Sequence, residues 1–385
     1  MYEIGKAEID AVAKVIRSGK LMRDFGGQGG WCERFEAALA EKVGVRYAVT
    51  TCSGTTALIG CLLGLGVGPG DEVIVPAYTF IATALAPLAV GAIPIIAEID
   101  ETLMIDPADV ERKITRYTKA ILPVHMIGRT CDMSAIMGIA RRHKLFVVED
   151  ACQAVGGSYR GRRLCSIGHA GAYSFNYYKN ISCGEGGAVL TSRRDVYERA
   201  LIYHDGALTL YTSAQHPREA LFAGTKIRAS EIMGAILHEQ LKRLDRILAR
   251  LRARAAAMRE ILAKSGRFAL NPSNDLAGDC GSNLPLLFET PRAALAFVKA
   301  HKKRIGMMRP YDTGKHCYWR WDAILNQRGS HHPQLDAYSF ARRKIVYSED
   351  MCPRSRDVMA RTIALGVPYK ATLAEVRALA RKLAV

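Results

Sequence analysis

The 385-residue chain holds no run of about 18 apolar residues, and its opening stretch, Met1 to Ile9, has no apolar segment of the kind that heads an exported protein. A membrane span and a secretory leader are therefore not expected, and a cytoplasmic location is. The ten cysteines stand singly, with no C-x-x-C pair. That spacing argues against a zinc module and, in a chain this long, against a disulfide scaffold, so free thiols in a reducing compartment are the simplest account. A dinucleotide fingerprint is missing too. The nearest approach, Gly64-Leu-Gly-Val-Gly-Pro-Gly70, has the wrong spacing and follows a helical pattern, so it reads as a helix stop and turn. Acid is also in deficit, with 37 Asp and Glu against 54 Lys and Arg for a net charge of +17. Such a balance invites a nucleic-acid partner. The densest basic group, however, is Arg243, Arg246, Arg250, Arg252, Arg254 and Arg259, interleaved at helical spacing with Leu244, Ile247, Leu248 and Leu251. It reads as the solvated face of an amphipathic helix. The surplus charge suits anionic substrates and cofactors; a nucleic-acid partner is not expected.

Hydrophobic residues make up 49% of the chain and charged residues 24%, which supports a large α/β domain and a smaller one. Strand patterns at residues 47–51, 73–75, 93–99, 120–125 and 145–148 alternate with helical ones at 7–17, around Phe35, Leu39 and Val43, and at 133–143. Alternation of this kind predicts a mostly parallel central sheet with helices on both faces. Residues 21–30 and 204–226 read as irregular connections. One long helix from Glu231 through Leu244 and onward is expected to lead into a smaller C-terminal domain, giving domains at 1–245 and 246–385. Within the second, residues 271–283 read as a loop and 284–288 as a strand.

Three stretches carry chemistry. In Ala172-Tyr-Ser-Phe-Asn-Tyr-Tyr-Lys179, a β-prone run ends in aromatics and one lysine, before the glycine turn Gly184-Glu-Gly-Gly187 and a second β-prone run. Packing against Phe175, Tyr177 and Tyr178 is expected to disfavour the lysine's charged form, as a Schiff-base amine requires. In Leu145-Phe-Val-Val-Glu-Asp150-Ala-Cys-Gln153, a buried strand ends in two acids. Alternation along it puts Glu149 and Asp150 on opposite faces, and Asp150 at a strand's C-terminal end lies where open α/β sheets bind ligands. Such a carboxylate can pair with the ring nitrogen of pyridoxal phosphate. Ser53-Gly54-Thr55 opens a helix whose stripe is Ala57, Leu58, Cys61, Leu62 and Leu65, with Ser53 as N-cap. Its first N–H groups are able to hold a phosphate.

Asp150-Ala-Cys-Gln153, Tyr173-Ser-Phe, Lys179 and Gly184-Glu-Gly-Gly187, with Ser53-Gly-Thr55 and Pro76-Ala-Tyr-Thr-Phe80 upstream, together resemble the DegT/StrS family of pyridoxal-phosphate sugar aminotransferases. The likeness runs in order from about Gly5 to about Leu244. It implies the fold-type-I aminotransferase architecture with a smaller α+β C-terminal domain, and pyridoxal 5'-phosphate as cofactor. Lys179 would be the Schiff-base lysine and proton shuttle, with Asp150 on the ring nitrogen. Gln153 would reach the ring hydroxyl, Gly54, Thr55 and Ser174 the phosphate, and Phe80 the ring face. The reaction implied moves an amino group from glutamate or glutamine to a keto sugar, keto-octulosonate or keto-cyclitol. In the family an asparagine from a loop crosses a two-fold interface to the partner's cofactor phosphate. Lys226 stands at that place here, which implies a homodimer with composite sites.

Substrate candidates are Arg23, near the mouth of the site in the family, and His125, Tyr311 and His316. The segment 305–355 is rich in such groups, yet the pair His331 and His332 has no acid or thiol at ligand spacing, and no metal is expected. A dehydratase branch of the family replaces the lysine by histidine, and Lys179 argues against it. The Pro123-Val-His-Met126 and Gly184-Glu-Gly-Gly187 stretches are shared with enzymes resembling 3-amino-5-hydroxybenzoate synthase, the main alternative. Residues 97–103, 149–154 and 156–159 look most similar to 8-amino-8-deoxyoctulosonate transaminases. A DNA-binding regulator is the remote alternative and rests on charge alone.

Overall fold

A computed structural model describes residues 3–23, 29–206 and 218–385; the middles of the two irregular connections expected at 21–30 and 204–226 lie outside the described residues. The large sheet has seven strands, β1 (Tyr47–Thr51), β2 (Glu72–Pro76), β3 (Ile93–Ala97), β4 (Thr118–Ile121), β5 (Phe146–Asp150), β8 (Ala170–Ser174) and β9 (Gly187–Thr191), with a small hairpin, β6 (Ser158–Tyr159) and β7 (Arg162–Arg163), between β5 and β8. Its order is β1-β9-β8-β5-β4-β2-β3. Pairing is parallel from β8 to β3, and β9 runs antiparallel to both its neighbours. Every residue of β2, β3, β8 and β9 is buried, as expected of a sheet covered on both faces.

The helices up to the small domain are α1 (Lys6–Ser18), α2 (Trp31–Val43), α3 (Gly54–Gly64), α4 (Ala82–Ala89), α5 (Pro107–Lys113), α6 (Met133–His143), α7 (Arg194–His204), α8 (Glu231–Leu241) and α9 (Leu244–Leu262). Side-chain caps fix several starts. Asp132 Oδ1 accepts the Ala135 N–H at 3.0 Å before α6, and Glu8 reaches back to the Gly5 N–H at 2.8 Å before α1. The single helix expected from Glu231 onward is two, because its halves serve different neighbours. α8 packs on α1 and α2, and α9 on the C-terminal helix 373–384. Between them Arg243 turns to Glu8, at 2.6 Å.

Past α9 the chain builds a four-stranded antiparallel sheet, β10 (Ala269–Leu270), β11 (Asn283–Leu287), β12 (Met307–Met308) and β13 (Thr362–Gly366), ordered β10-β11-β13-β12. The apolar stripe of α9, Leu244, Ile247, Leu248 and Leu251, is buried as read. Its arginines are not all solvated, which corrects that part of the reading. Arg254 is buried with its Nε donating to the Ala371 carbonyl at 2.8 Å, and Arg252 Nε donates to the Asp279 carbonyl at 2.8 Å. Backbone carbonyls satisfy these guanidinium groups where no acid does.

Candidate active site

β5 delivers two adjacent carboxylates to opposite faces. Glu149 is fully buried, and its carboxylate accepts the N–H groups of Cys165 at 2.9 Å, Ile167 at 2.7 Å and Gly168 at 2.7 Å. Asp150 faces the other way, where its Oδ1 accepts the Cys152 N–H at 3.1 Å and its Oδ2 the Thr83 hydroxyl at 2.7 Å. The strand's end is pinned by the neighbouring chain, with the Asp150 N–H donating to the Pro123 carbonyl at 3.0 Å and the His125 N–H to the Asp150 carbonyl at 2.9 Å.

Asp150 therefore sits rigidly at the C-terminal edge of the parallel strands. Two other elements converge there. Ser53 caps α3 by accepting the Thr56 N–H at 3.1 Å, and the Ala57 N–H closes on the Ser53 carbonyl at 3.1 Å. The Gly54 and Thr55 N–H groups are left over, and the half-buried Thr55 hydroxyl has no hydrogen-bond partner among the described residues. Gly54 is required by contact, because a Cβ there would stand 2.7 Å from Ser174 Cβ and 2.9 Å from Cys152 Sγ. The start of α3 thus lies directly on the end of β8 and the turn after Asp150. Ser174 is buried, and its hydroxyl takes only a long bond, 3.4 Å, from the Asn176 N–H.

Lys179 lies in the tight connection from β8 to β9, closed by Phe175 N–H to Gly186 carbonyl at 2.8 Å and Tyr177 N–H to Gly184 carbonyl at 2.9 Å. The aromatic burial expected around it is not found. Tyr177 is 55% and Tyr178 80% exposed, and Phe175 belongs to the core. Both tyrosines turn outward, and the lysine is half-buried.

Gln153 is oriented by a kink. Its Oε1 accepts the Ile127 N–H at 3.3 Å, which leaves the amide NH2 group to donate elsewhere. Ile127 has a left-handed backbone (φ 49°), an uncommon state for a β-branched residue. It is gripped from the small domain, where Asn283 Nδ2 donates to its carbonyl at 3.2 Å and the Cys280 N–H donates to the Gly128 carbonyl at 2.7 Å.

Phe80 follows β2 and is 38% exposed. Residues 315–317 lie along it, with the Thr79 N–H donating to the His316 carbonyl at 3.1 Å and the Ile81 N–H to the Lys315 carbonyl at 2.9 Å. This pairing sets the His316 ring 5.7 Å from the Phe80 ring and Lys315 Nζ 5.6 Å from it. Burial, with Lys315 and Lys179 nearby, pulls the His316 imidazole down from 6.5 to about 4. Burial of the ring thus disfavours the protonated form of His316.

The other substrate candidates are placed elsewhere. Arg23 is spent on Glu36, Nη1 to Oε1 at 2.5 Å and Nη2 to Oε2 at 2.8 Å, with Thr50 Oγ1 at 3.0 Å. Burial opposes its charge, yet Glu36 outweighs burial and raises the guanidinium above its ordinary value. His125 is fully buried, its Nδ1 accepting the Cys131 N–H at 3.1 Å and its Nε2 lying 3.4 Å from Glu149. It underlies the strand end instead of lining a pocket. Tyr311 packs on Trp319, ring centroids 4.9 Å apart, and meets Arg356 at 3.4 Å, within the small domain. Lys226 is exposed on a fixed segment threaded between α7 and the end of β1: the Thr225 N–H donates to the Tyr203 carbonyl at 2.9 Å and the Cys52 N–H to the Ile227 carbonyl at 2.9 Å. Sequence reasoning missed Thr79, Thr83 and Ile127. Thr79 lies inside the quoted Pro76–Phe80 stretch and Ile127 directly follows Pro123–Met126, but their partners lie on other elements.

The group such a site fits is pyridoxal phosphate. N–H groups left over at a helix start, a close-packed glycine beneath them, a buried carboxylate at a strand end and the half-buried Lys179 are the donor set that its phosphate, ring nitrogen and aldehyde would call for. Fold and site together define a pyridoxal-phosphate enzyme of fold type I. Comparison with known proteins agrees. The chain is 41% identical over 249 residues to the spore coat polysaccharide biosynthesis protein SpsC of Bacillus subtilis, covering 63% of each chain. It is 38% identical over 251 residues to the GDP-perosamine synthase of Caulobacter vibrioides, covering 65% of this chain and 67% of that one. The match thus spans about two thirds of these curated relatives' length. The crystal structure of 3-amino-5-hydroxybenzoic acid (AHBA) synthase is similar over 99% of this chain and 96% of that one, with a TM-score of 0.83 and 26% identity. Residues 2–311 match the DegT/DnrJ/EryC1/StrS aminotransferase family, and the chain belongs to it. Among the described residues no helix is long and apolar enough to cross a membrane.

Proposed function

We propose that the protein transfers an amino group from glutamate or glutamine to a ketone of a sugar or a related polyol, using pyridoxal phosphate. The observation that carries this is the convergence of Lys179, Asp150 and the start of α3 on the family's fold. Bound pyridoxal phosphate supplies an aldehyde carbon that takes up amines and a ring that accepts an electron pair. Around it the chain has four tasks. The Gly54 and Thr55 N–H groups with the Thr55 and Ser174 hydroxyls hold the phosphate. Gln153, its carbonyl oxygen fixed by Ile127, offers its NH2 group to the ring hydroxyl. Asp150 keeps a proton on the ring nitrogen, and Phe80 offers a ring face. Lys179 Nζ would hold the aldehyde carbon of the bound cofactor, and its amine is the base that would carry a proton from the donor's α-carbon.

The ketone is read as a keto sugar, because a relative 38% identical is a GDP-perosamine synthase. Keto-octulosonates and keto-cyclitols are the further members of the class. Lys226, exposed at the place of the family's crossing asparagine, supports a homodimer in which its ammonium reaches the partner's cofactor phosphate. The second reading, a synthase of the AHBA type that couples dehydration to aromatisation, rests on the Pro123–Met126 and Gly184–Gly187 stretches and on a likeness of fold at 26% identity. The test is to load the purified enzyme with amine from glutamate, remove the donor, and offer a panel of nucleotide-linked keto sugars, keto-octulosonates and keto-cyclitols. An aminated sugar product supports the reading. Release of an aromatic product, or no return of the aldehyde absorption with any ketone, overturns it.

A further inference from the structure

Asp150 is engaged by the protein through both carboxylate oxygens, and one contact continues into a chain of hydroxyls. Thr83 Oγ1 lies 2.7 Å from Asp150 Oδ2 and 2.6 Å from Thr79 Oγ1. Both threonines are fully buried, and Asp150 is 4% exposed. Counting protons fixes the direction. An ionised carboxylate only accepts, so the single Thr83 hydroxyl proton is committed to Asp150, and Thr79 must donate to Thr83. A hydroxyl that accepts one hydrogen bond donates a stronger one, so Thr79 strengthens the contact to Asp150 without touching it.

The local fold enforces the arrangement. Thr79 and Thr83 are four residues apart across the start of α4, and the Thr83 N–H closes on the Phe80 carbonyl at 3.0 Å. Thr79 is held in turn by the backbone pairing of its N–H to His316, at 3.1 Å. Neither hydroxyl caps the helix, whose start has no side-chain cap, and valine has the same branched shape without the hydroxyl.

We propose that the Thr79–Thr83 pair is a positioning device for Asp150, orienting the carboxylate and stabilising its ionised form so that the proton shared with the cofactor's ring nitrogen stays on nitrogen. The inference rests on the reading of Asp150 given above. Hydrogen bonds donated to the charged form of a carboxylate favour that form, while burial alone favours the neutral acid. With the Thr83 donor removed, the balance of the shared proton tips toward carboxyl oxygen and the ring becomes a poorer electron acceptor.

The experiment reconstitutes the holoenzyme with pyridoxal phosphate carrying 15N at the ring nitrogen and reads the nitrogen chemical shift, alongside steady-state kinetics. In T83V the shift moves toward that of an unprotonated pyridine. Its kcat drops by about ten- to a hundred-fold, the loss of one hydrogen bond to a charged group, while the donor's KM stays within about twofold. T83S returns both to wild type, and T79V moves both in the same direction by less. A wild-type shift in T83V, or a T83S that behaves like T83V, overturns the proposal. Should T83V fail to fold, T79V carries the test, and a T79V indistinguishable from wild type in shift and kcat overturns it. D150N separates the two levels. An unmoved shift in D150N refutes the role of Asp150 itself, whereas a moved shift in D150N with none in T83V and T79V refutes only the threonine pair.

Discussion

Adjacent residues on β5 should fail in opposite ways when each loses its charge. Glu149→Gln leaves one side-chain oxygen for three N–H donors. The better placement keeps that oxygen at Oε1, between Ile167 and Gly168, and turns the NH2 group onto the Cys165 N–H. His125 Nε2 lies 3.4 Å from the same carboxylate without a hydrogen bond to it, so it offers the new amide no acceptor in compensation. Losing one charge-assisted bond and setting donor against donor costs about 3 kcal/mol in a fully buried site. For a chain of 385 residues, with an unfolding entropy of about 2.1 cal/mol/K per residue, this lowers the thermal midpoint by about 4 °C. Asp150→Asn is milder for the fold. Its carbonyl oxygen keeps the Cys152 N–H, and its NH2 group donates to Thr83 once the two threonine hydroxyls reverse. What it loses is the negative charge that the proposed function sets opposite the ring nitrogen. Removing one partner of a buried charged pair costs about 3 to 5 kcal/mol, a rate loss of about 10² to 10⁴ if it falls on the barrier. Thermal melts of both holoenzymes, with single-turnover rates from glutamate, check the pair. A Glu149→Gln that melts normally but is inactive, beside an active Asp150→Asn, would refute the assignment of faces.

Four further outcomes are expected. Lys179→Ala abolishes turnover with the fold intact, and borohydride reduction followed by peptide mapping labels Lys179 in the wild type; a label on another lysine sinks the assignment. Lys226→Ala weakens cofactor retention without changing which lysine is labelled, and an unchanged cofactor dissociation constant, or a fully active monomer in sedimentation, refutes the crossing contact. Gly54→Ala forces a methyl group against Ser174 and Cys152, an overpacking cost of about 1 to 3 kcal/mol. Cofactor affinity should fall by about tenfold or more, and equilibrium dialysis showing wild-type affinity would contradict the close approach. His316, lowered by burial and two lysines from 6.5 to about 4, contributes stability that is fully present above pH 6.5 and is lost as the pH falls through about 4. Denaturation midpoints followed across that window should drop more steeply for the wild type than for His316→Gln, and parallel curves would count against the burial of a neutral ring.

What could be read in advance was whatever a short stretch of chain decides by itself. A run of four apolar residues ending in two acids makes a buried strand with a carboxylate at its tip, and Ser53 before an apolar stripe makes a capped helix start. Both stand as read. The misplacements share one cause, a partner that is remote along the chain. Arg23 looks available until α2 brings Glu36 beneath it, and Arg252 and Arg254 look solvated until the 278–279 and 371 carbonyls fold over them. His125 ends a strand pattern, yet Glu149 and Cys131 enclose it. The pairing of residues 315–317 with 79–81 joins positions more than 230 residues apart, and no periodicity announces it. Tyr177 and Tyr178 show the reverse case, aromatic residues that are neighbours of a lysine along the chain but that the turn points outward.

The pairing of β1 with β9 has a consequence for how the chain is made. Tyr47 lies opposite Thr191 and Thr51 opposite Gly187, so β1 meets its sheet partner only after roughly 140 further residues. On a ribosome adding about 5 to 20 residues per second, that is a wait of about 7 to 30 s, during which an apolar strand has no ladder to join. The start of α3, the proposed phosphate site, waits with it, because Gly187 abuts the Ser53 carbonyl so closely that a Cβ would stand 2.2 Å away. Nascent chains released before residue 187 should therefore be unable to retain cofactor however long they are incubated with it, and the vulnerable interval for aggregation or chaperone capture lies between the emergence of β1 and that of β9.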